Sequence, residues 1–429
     1  MVRFSVVRAC VLLLALLPRP AAGAQQDTWP VTDVTFTGLS RYQSVALLPF
    51  AALVPGKATT LAELATAAQR LIDTGLFSEI SYSYTTGPAG LAIAFKVIEA
   101  AWNAPVAYEN FIWFTDDELR EKLAAHVPGF TGTAVAGGHT NALIASGLER
   151  ILAERELKGR VDVGVRVDLT GGDSIFTFTV RDAGVDFRVC SLRFPGASAV
   201  SEQDLLAAST QFIGADYSKS SLTGLANGSW RQLYRDRGYW GIEFAPPVVA
   251  PGDSACAGMA VTSAVVEGPS YRWAGARWTG VTGFDHAALD AALAMKTGTV
   301  AEARAIDDGL RATRNVFLAS GYLNYSSTLT PELDTATGRA TFLIDVTQGT
   351  RFRVGAFAIE GLSERDSATV AKTWRLAPGD TFDGTYPQVF IREARQALSD
   401  RGFVVPQMYP RVRLREDEGL ADFTLLVER

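Results

Sequence analysis

The chain has 429 residues, 48% of them hydrophobic and 20% charged, with a formal net charge of -6. That balance describes a globular chain and excludes a disordered tail, and a mildly acidic total offers no electrostatic footprint for nucleic-acid phosphates. Beyond the amino terminus no stretch approaches the roughly 20 apolar residues of a membrane-spanning helix, so any membrane contact is expected to be peripheral.

The first element is a leader. Arg3 and Arg8 give a positive start, Ala9 to Leu17 an apolar run, and Ala22-Gly23-Ala24 a small-residue cleavage pattern. Pro18, Arg19 and Pro20 end the run well short of a membrane anchor, so residues 1–24 read as a secretory signal peptide and Gln25 as the first mature residue. Cys10 belongs to the leader. Cys190 and Cys256 remain as an even pair in an oxidising compartment, which predicts a disulfide; two separate buried thiols are the alternative.

The mature chain opens with a strand, Val31 to Thr37, closed by Gly38. A helix follows whose apolar stripe is Leu61, Leu64, Ala65, Ala68, Leu71 and Ile72; Thr60 and Glu63 form a capping-box pattern at its start and Gly75 stops it. The next stretch lacks a turn glycine after Phe111-Ile112-Trp113-Phe114 and carries a glycine-rich insert at Gly137-Gly138. Its Leu157-Lys158-Gly159 keeps a helix-ending glycine without an aromatic, and Phe176, Phe178 and Val180 alternate as a half-buried strand does.

From there three openings align without gaps: Phe187-Arg188-Val189 to Gly196, Tyr271-Arg272-Trp273 to Gly280, and Phe352-Arg353-Val354 to Gly361, the glycines spaced 84 and 81 residues apart. A second landmark is a glycine followed by an aromatic: Gly75 with Phe77, Gly238 with Tyr239, Gly321 with Tyr322, Gly402 with Phe403. A third is the residue closing each stretch, Glu99, Asp182, Glu267, Gln348 and Glu428, at intervals of 83, 85, 81 and 80. Phe342, Ile344 and Val346 give another alternating strand, and Tyr386, Val389, Phe390, Ala394, Ala397 and Leu398 another helical stripe. One period of about eighty residues, read as strand, helix, helix, strand, strand, accounts for all three landmarks. The expected fold class is α+β, with five tandem βααββ domains at 30–100, 101–182, 183–267, 268–348 and 349–429. Each is a three-stranded mixed sheet covered on one face by two helices.

The repeat resembles the POTRA domain, the polypeptide-transport-associated module of outer-membrane assembly and two-partner secretion families. The resemblance runs from residue 30 to 428 and is weakest in the second repeat. Five in tandem are similar to the periplasmic arm of BamA-type proteins, where the arm precedes a β-barrel. Arg429 follows Glu428 directly, so the expectation is an arm without a barrel, either a stand-alone partner of a separate barrel or the descendant of a truncated relative.

The resemblance implies a periplasmic protein near the outer membrane that binds other chains by β-augmentation, the strand after the second helix lying at the sheet edge. Candidate edges are Ser81 to Tyr84, Val161 to Val167, Trp240 to Ala245, Asn324 to Thr330 and Pro406 to Val412. The residues singled out are Val161, Val163, Trp240, Gly241, Ile242, Glu243, Phe244, Asn324, Tyr325 and Val412. Phe111, Trp113 and Phe114 are a candidate aromatic patch, with burial in the core as the alternative. The expected partners are an outer-membrane β-barrel protein, unfolded outer-membrane clients, or both; no nucleic acid and no small-molecule substrate. A structural adaptor in envelope or division assemblies is the second reading. Short linkers at Gly268-Pro269-Ser270 and Gln348-Gly349-Thr350 suggest a jointed arm.

Nothing points to catalysis or to a cofactor. The three histidines, His126, His139 and His286, stand in no metal-binding motif, and no Cys-x-x-Cys, Gly-x-Ser-x-Gly or phosphate loop occurs. Asp116-Asp117 and Asp307-Asp308 read as helix starts or solvated faces.

Overall fold

Alternation of apolar and polar residues places every second side chain on one face of a strand, and in the closing strands that face is buried. The buried residues are Leu91, Ile93, Phe95 and Val97 in Gly90–Glu99, and Phe176, Phe178 and Val180 in Ile175–Arg181. They are Ala340, Phe342, Ile344 and Val346 in Arg339–Thr347, and Ala421, Phe423, Leu425 and Val427 in Leu420–Glu428. The computed structural model describes residues 28–127, 129–135, 140–167, 174–401 and 407–428, with the backbone alone at 102 and 103. The leader with Cys10, the insert Gly137-Gly138-His139, the pair Gly402-Phe403, Pro406 and Arg429 lie outside the described residues.

The chain is mixed α+β, and among the described residues no helix is long and apolar enough to cross a membrane. In the first, second, fourth and fifth sequence repeats the closing strand is flanked on both sides. The opening strands Trp29–Thr37, Trp102–Tyr108, Arg272–Thr279 and Arg353–Glu360 pair with it in parallel. The strands Phe77–Gly87, Arg160–Arg166, Ser326–Asp334 and Gln407–Arg415 pair with it antiparallel and form the sheet edge. A parallel pair needs a crossover, which the two helices supply, and a short connection suffices for the antiparallel pair. The first two sheets have a fourth short strand beside the opening one, Ala58–Thr59 and Thr133–Val135, where three strands were expected.

The second repeat, expected to be the least regular, keeps the common strand order; the third departs from it. Its strands form two small sheets, one of Val248–Pro251, Met259–Thr262 and Val189–Arg193, the other of Glu243–Phe244 with Val265–Val266. Pro246 and Pro247 fall between the two pieces of edge strand, and a residue without an N–H breaks a ladder. Its second helix is likewise interrupted, running Lys219–Leu225, a π turn Ala226–Trp230, then Arg231–Arg235, with Gly224 and Gly228 near the break. Trp230 is fully buried there and its indole N–H donates to Ser209 Oγ at 2.8 Å.

The helix Leu61–Asp73 begins at the expected capping box, Thr60 with Glu63. Its buried face is Leu64, Ala67, Ala68 and Leu71, rotated slightly from the expected stripe, with Leu61 and Ala65 exposed. Tyr386–Ser399 buries Tyr386, Phe390, Ala394 and Leu398 as its spacing predicts. Asp116 and Asp117 open the helix Asp116–His126, whereas Asp307 and Asp308 lie inside Ala303–Ala319.

The chain divides into two compact units. The first comprises the described residues up to Leu192 with Gln211–Thr223 and Val248–Val261; the second comprises Arg193–Thr210, Gly224–Pro247 and the residues from Thr262 onward. The first has a core that includes Leu64, Leu71, Phe95, Leu148, Ile151 and Phe178. The second has one cluster around Trp273, Phe317 and Phe342 and another around Trp374, Phe390 and Phe423.

Candidate protein-binding edges

In four repeats the turn after the opening strand is built in one way. Gly38, Gly196, Gly280 and Gly361 have φ of 91°, 90°, 68° and 93°. A Cβ on them would lie 2.2, 2.3, 2.1 and 2.0 Å from the carbonyl oxygens of Val97, Val265, Val346 and Val427. Only glycine permits both that dihedral and that approach. Two residues beyond these valines, the closing residue reaches back to the same turn. Glu99 accepts the N–H groups of Ser40 (2.8 Å) and Arg41 (2.9 Å), Glu267 those of Ser198 (2.6 Å) and Ala199 (2.8 Å), and Gln348 that of Thr282 (2.8 Å). Burial pushes the Glu99 and Glu267 carboxyls up, but these donors outweigh it and hold both below the usual carboxylate range.

Two of the landmarks are therefore halves of one device, and the structure corrects them in two places. The position equivalent to Glu99 in the fifth repeat is 429, outside the described residues, so Glu428 is one residue early. In the second repeat Asn110 stands level with Gly38 in the strand register. Its side chain donates to Val180 O at 3.0 Å and accepts from Val180 N–H at 2.7 Å. Asp182 instead faces Arg160 at 3.6 Å.

The same valines set a common register for the edge strands. Ile80, Val161, Ser327 and Met408 lie opposite Val97, Val180, Val346 and Val427. In an antiparallel pair alternate residues direct their N–H and C=O away from the partner. Val161 shows which set this is, because its N–H leaves the sheet and donates to Glu149 Oε1 at 3.0 Å. The outward positions that follow are Val163 and Val165, 41% and 57% exposed, with Val167 just beyond the strand at 61%. At the far end Arg166 reaches the nearly buried carboxylate of Glu109 at 3.6 Å, which also accepts from Ser218 Oγ (2.7 Å) and the Ser220 N–H (3.0 Å). In the first repeat the positions of Val163 and Val165 are taken by Tyr82 and Tyr84, both half-buried.

Several residues expected on edges are elsewhere. Trp240 and Gly241 form a turn, and Ile242 is buried before the two-residue strand Glu243–Phe244. Trp240 is drawn off because its ring joins the core around Phe342, centroids 4.9 Å apart, with its indole N–H on Ala301 O at 2.6 Å. Asn324 and Tyr325 precede the strand Ser326–Asp334; Tyr325 stacks on Phe317 at 4.5 Å and Asn324 donates to Glu416 at 2.9 Å. Val412 does lie on the edge strand Gln407–Arg415; it is 39% exposed and borders a cavity of about 580 Å3 with Leu318, Leu323, Phe382 and Leu414. Phe111, Trp113 and Phe114 follow the strand Trp102–Tyr108 and form no exposed patch. Phe111 and Phe114 are buried, and Trp113 sits edge-on to Phe187 at 6.0 Å.

Cys190, in Val189–Arg193, and Cys256, in the loop before Met259–Thr262, form a disulfide with Cα atoms 5.4 Å apart. His126 pairs with Glu154 at 2.9 Å and His286 begins a helix. Among the described residues no group of three acidic, His or Cys side chains could hold a metal ion. Asn110, Glu149 and the weight of Val165 escaped the sequence reading; only the last had a signal, the alternating valines at 161, 163, 165 and 167.

No family model matches the chain. A curated protein of Treponema pallidum (strain Nichols), described as "Putative outer membrane protein assembly factor", is 25% identical over 275 residues, 62% of this chain and 32% of that protein. The match thus spans about a third of the relative's length. Among solved structures, POTRA3-5 of Haemophilus influenzae BamA is 20% identical with a TM-score of 0.41, over 56% of this chain and 96% of that one. POTRA1-3 of Anabaena Omp85 is 12% identical with a TM-score of 0.20, over 75% and 96%.

Proposed function

We propose that this chain is an exported, non-catalytic scaffold of five βααββ units that works in the periplasm near the outer membrane. There it holds client or partner strands by β-augmentation during outer-membrane protein assembly or secretion. The observation that carries the reading is the shared register: in four repeats the strand after the second helix lies at the sheet edge, with equivalent residues opposite Val97, Val180, Val346 and Val427. Main-chain hydrogen bonds at an edge do not read side-chain identity, which suits a protein that must hold many partly unfolded chains. The sequence relative described as an outer-membrane assembly factor supports the setting. The test is a pull-down of the mature chain from solubilised envelopes together with capture of extended peptides derived from barrel strands. Recovery of a β-barrel protein and saturable peptide binding are expected; recovery of neither overturns the reading in favour of a structural adaptor.

A further inference from the structure

We infer that strand capture is confined to the edges of the first two repeats, and that they take an extended segment of another protein with apolar residues at alternate positions. This rests on the β-augmentation reading and goes beyond it by naming which edges are open and what fits them.

Counting from the residue opposite the marker valine, the outward positions of the first edge are Ile80, Tyr82, Tyr84 and Thr86, and those of the second Val161, Val163 and Val165. In the fourth they are Ser327, Leu329, Pro331 and Leu333, and in the fifth Met408, Pro410, Val412 and Leu414. In the third, Phe244 lies opposite Val265 and Pro246 follows two residues on. Each of these prolines thus falls at an outward position. A sheet tolerates proline there because no ladder bond to the neighbouring strand is lost. The same substitution removes a donor that an added strand would need, which is how natural edges are protected from pairing. The first and second edges have no proline between Phe77 and Gly87 or between Arg160 and Arg166.

The side chains at the open edges define the occupant. On the helix side stand Tyr82 and Tyr84 in one and the exposed Val163, Val165 and Val167 in the other. On the opposite face stand Ser81, Ser83 and Thr85, or Asp162 and Arg166. A strand added to either edge continues the pleat, so its alternate residues meet an apolar row on one side and hydroxyls or charges on the other. Because Glu149 occupies the Val161 donor, the donors of the second edge that are free among the described residues begin at Val163.

The test uses the exported chain and a short labelled peptide alternating valine and threonine, with a second peptide N-methylated along one pairing edge. The combined Tyr84→Pro and Val165→Pro variant is expected to weaken binding at least tenfold, with the N-methylated peptide near background. Pro331→Val and Pro410→Val are expected to add binding capacity. Unchanged thermal melts show that the proline variant is folded; if it is not, the N-methylated peptide and the two valine variants still decide. Undiminished binding to the folded proline variant, with the N-methylated peptide still excluded, overturns the confinement while leaving β-augmentation standing. Absence of peptide binding to every form overturns both. A concentration-dependent dimer in sedimentation that Val165→Pro dissolves identifies a second copy as the occupant and overturns the assignment to another protein.

Discussion

At the turn after the opening strand, a carboxylate in two repeats accepts two backbone N–H groups, and an amide in a third accepts the first of the equivalent pair. Glu267 and Gln348 therefore form a natural pair for separating charge from shape. The Glu267 carboxyl is held below its usual value, so its ionised form is the one the fold binds. Its contribution is fully present above about pH 4.3, the ordinary glutamate value, and is lost as pH falls through the lower folded value. Glu267→Gln keeps an acceptor and cannot titrate. Urea midpoints measured from neutral pH down to about pH 3 should fall less steeply for the variant than for the parent; parallel curves would show that the carboxylate is not engaged. Asn110 does the equivalent work in the second repeat without a glycine. Asn110→Ala leaves the Val180 N–H and C=O without their partner, and each orphaned group costs about 1–3 kcal/mol, read as a lower urea midpoint. The turn glycines were legible because a dihedral and a close approach admit one residue type. Asn110 was not, because a side chain achieves the same closure by hydrogen bonding and leaves no periodic mark.

The glycine-aromatic pairs gain a second meaning at the level of elements. Gly238, at φ 83°, ends a helix, and a Cβ there would lie 2.7 Å from Val300 Cγ1 and 2.9 Å from Ser270 Oγ. Its carbonyl accepts the Tyr271 N–H at 2.8 Å, as that of Gly321 accepts the Phe352 N–H at 2.8 Å. The pair is thus both a helix stop and the joint to the next opening strand, and Trp240 seals the first of these joints by entering the Phe342 cluster. Linkers expected to act as hinges are packed here; Ser270 Oγ donates to Arg237 O at 2.9 Å. Trp240→Ala should cost about 3–5 kcal/mol, the usual range for truncating a large buried aromatic, seen as an earlier urea transition with peptide capture by the first two repeats intact. Loss of capture without loss of stability would return Trp240 to a binding role. Sequence periodicity could not separate these possibilities, since Trp-Gly-Ile-Glu-Phe alternates like a strand whether the tryptophan faces its own sheet or a neighbour's core.

For the whole molecule, the eighty-residue period forecasts divisions between repeats, yet the boundary of the two compact units runs through the third repeat. Period is set by local signals, whereas a unit is set by contacts among distant residues, and the third repeat has the smallest sheets to hold its parts together. The disulfide lies in that repeat and in the first unit, linking Cys190 and Cys256 across 66 residues. Closing a loop of this length stabilises by about 2–4 kcal/mol, chiefly by restricting the unfolded chain. Small sheets bury little surface of their own, so the cross-link carries a larger share of stability here than it would elsewhere. Both thiols should resist alkylation in the native protein until a reductant is added. After reduction, hydrogen exchange in Met259–Thr262 should quicken by about one to three orders of magnitude, the fold-change equivalent of that free energy. Exchange in Leu420–Glu428, in the second unit, should not change. Ready alkylation before reduction would show that the bond is absent. Equal exchange in Met259–Thr262 before and after reduction would show that the third repeat holds its strands without the bond.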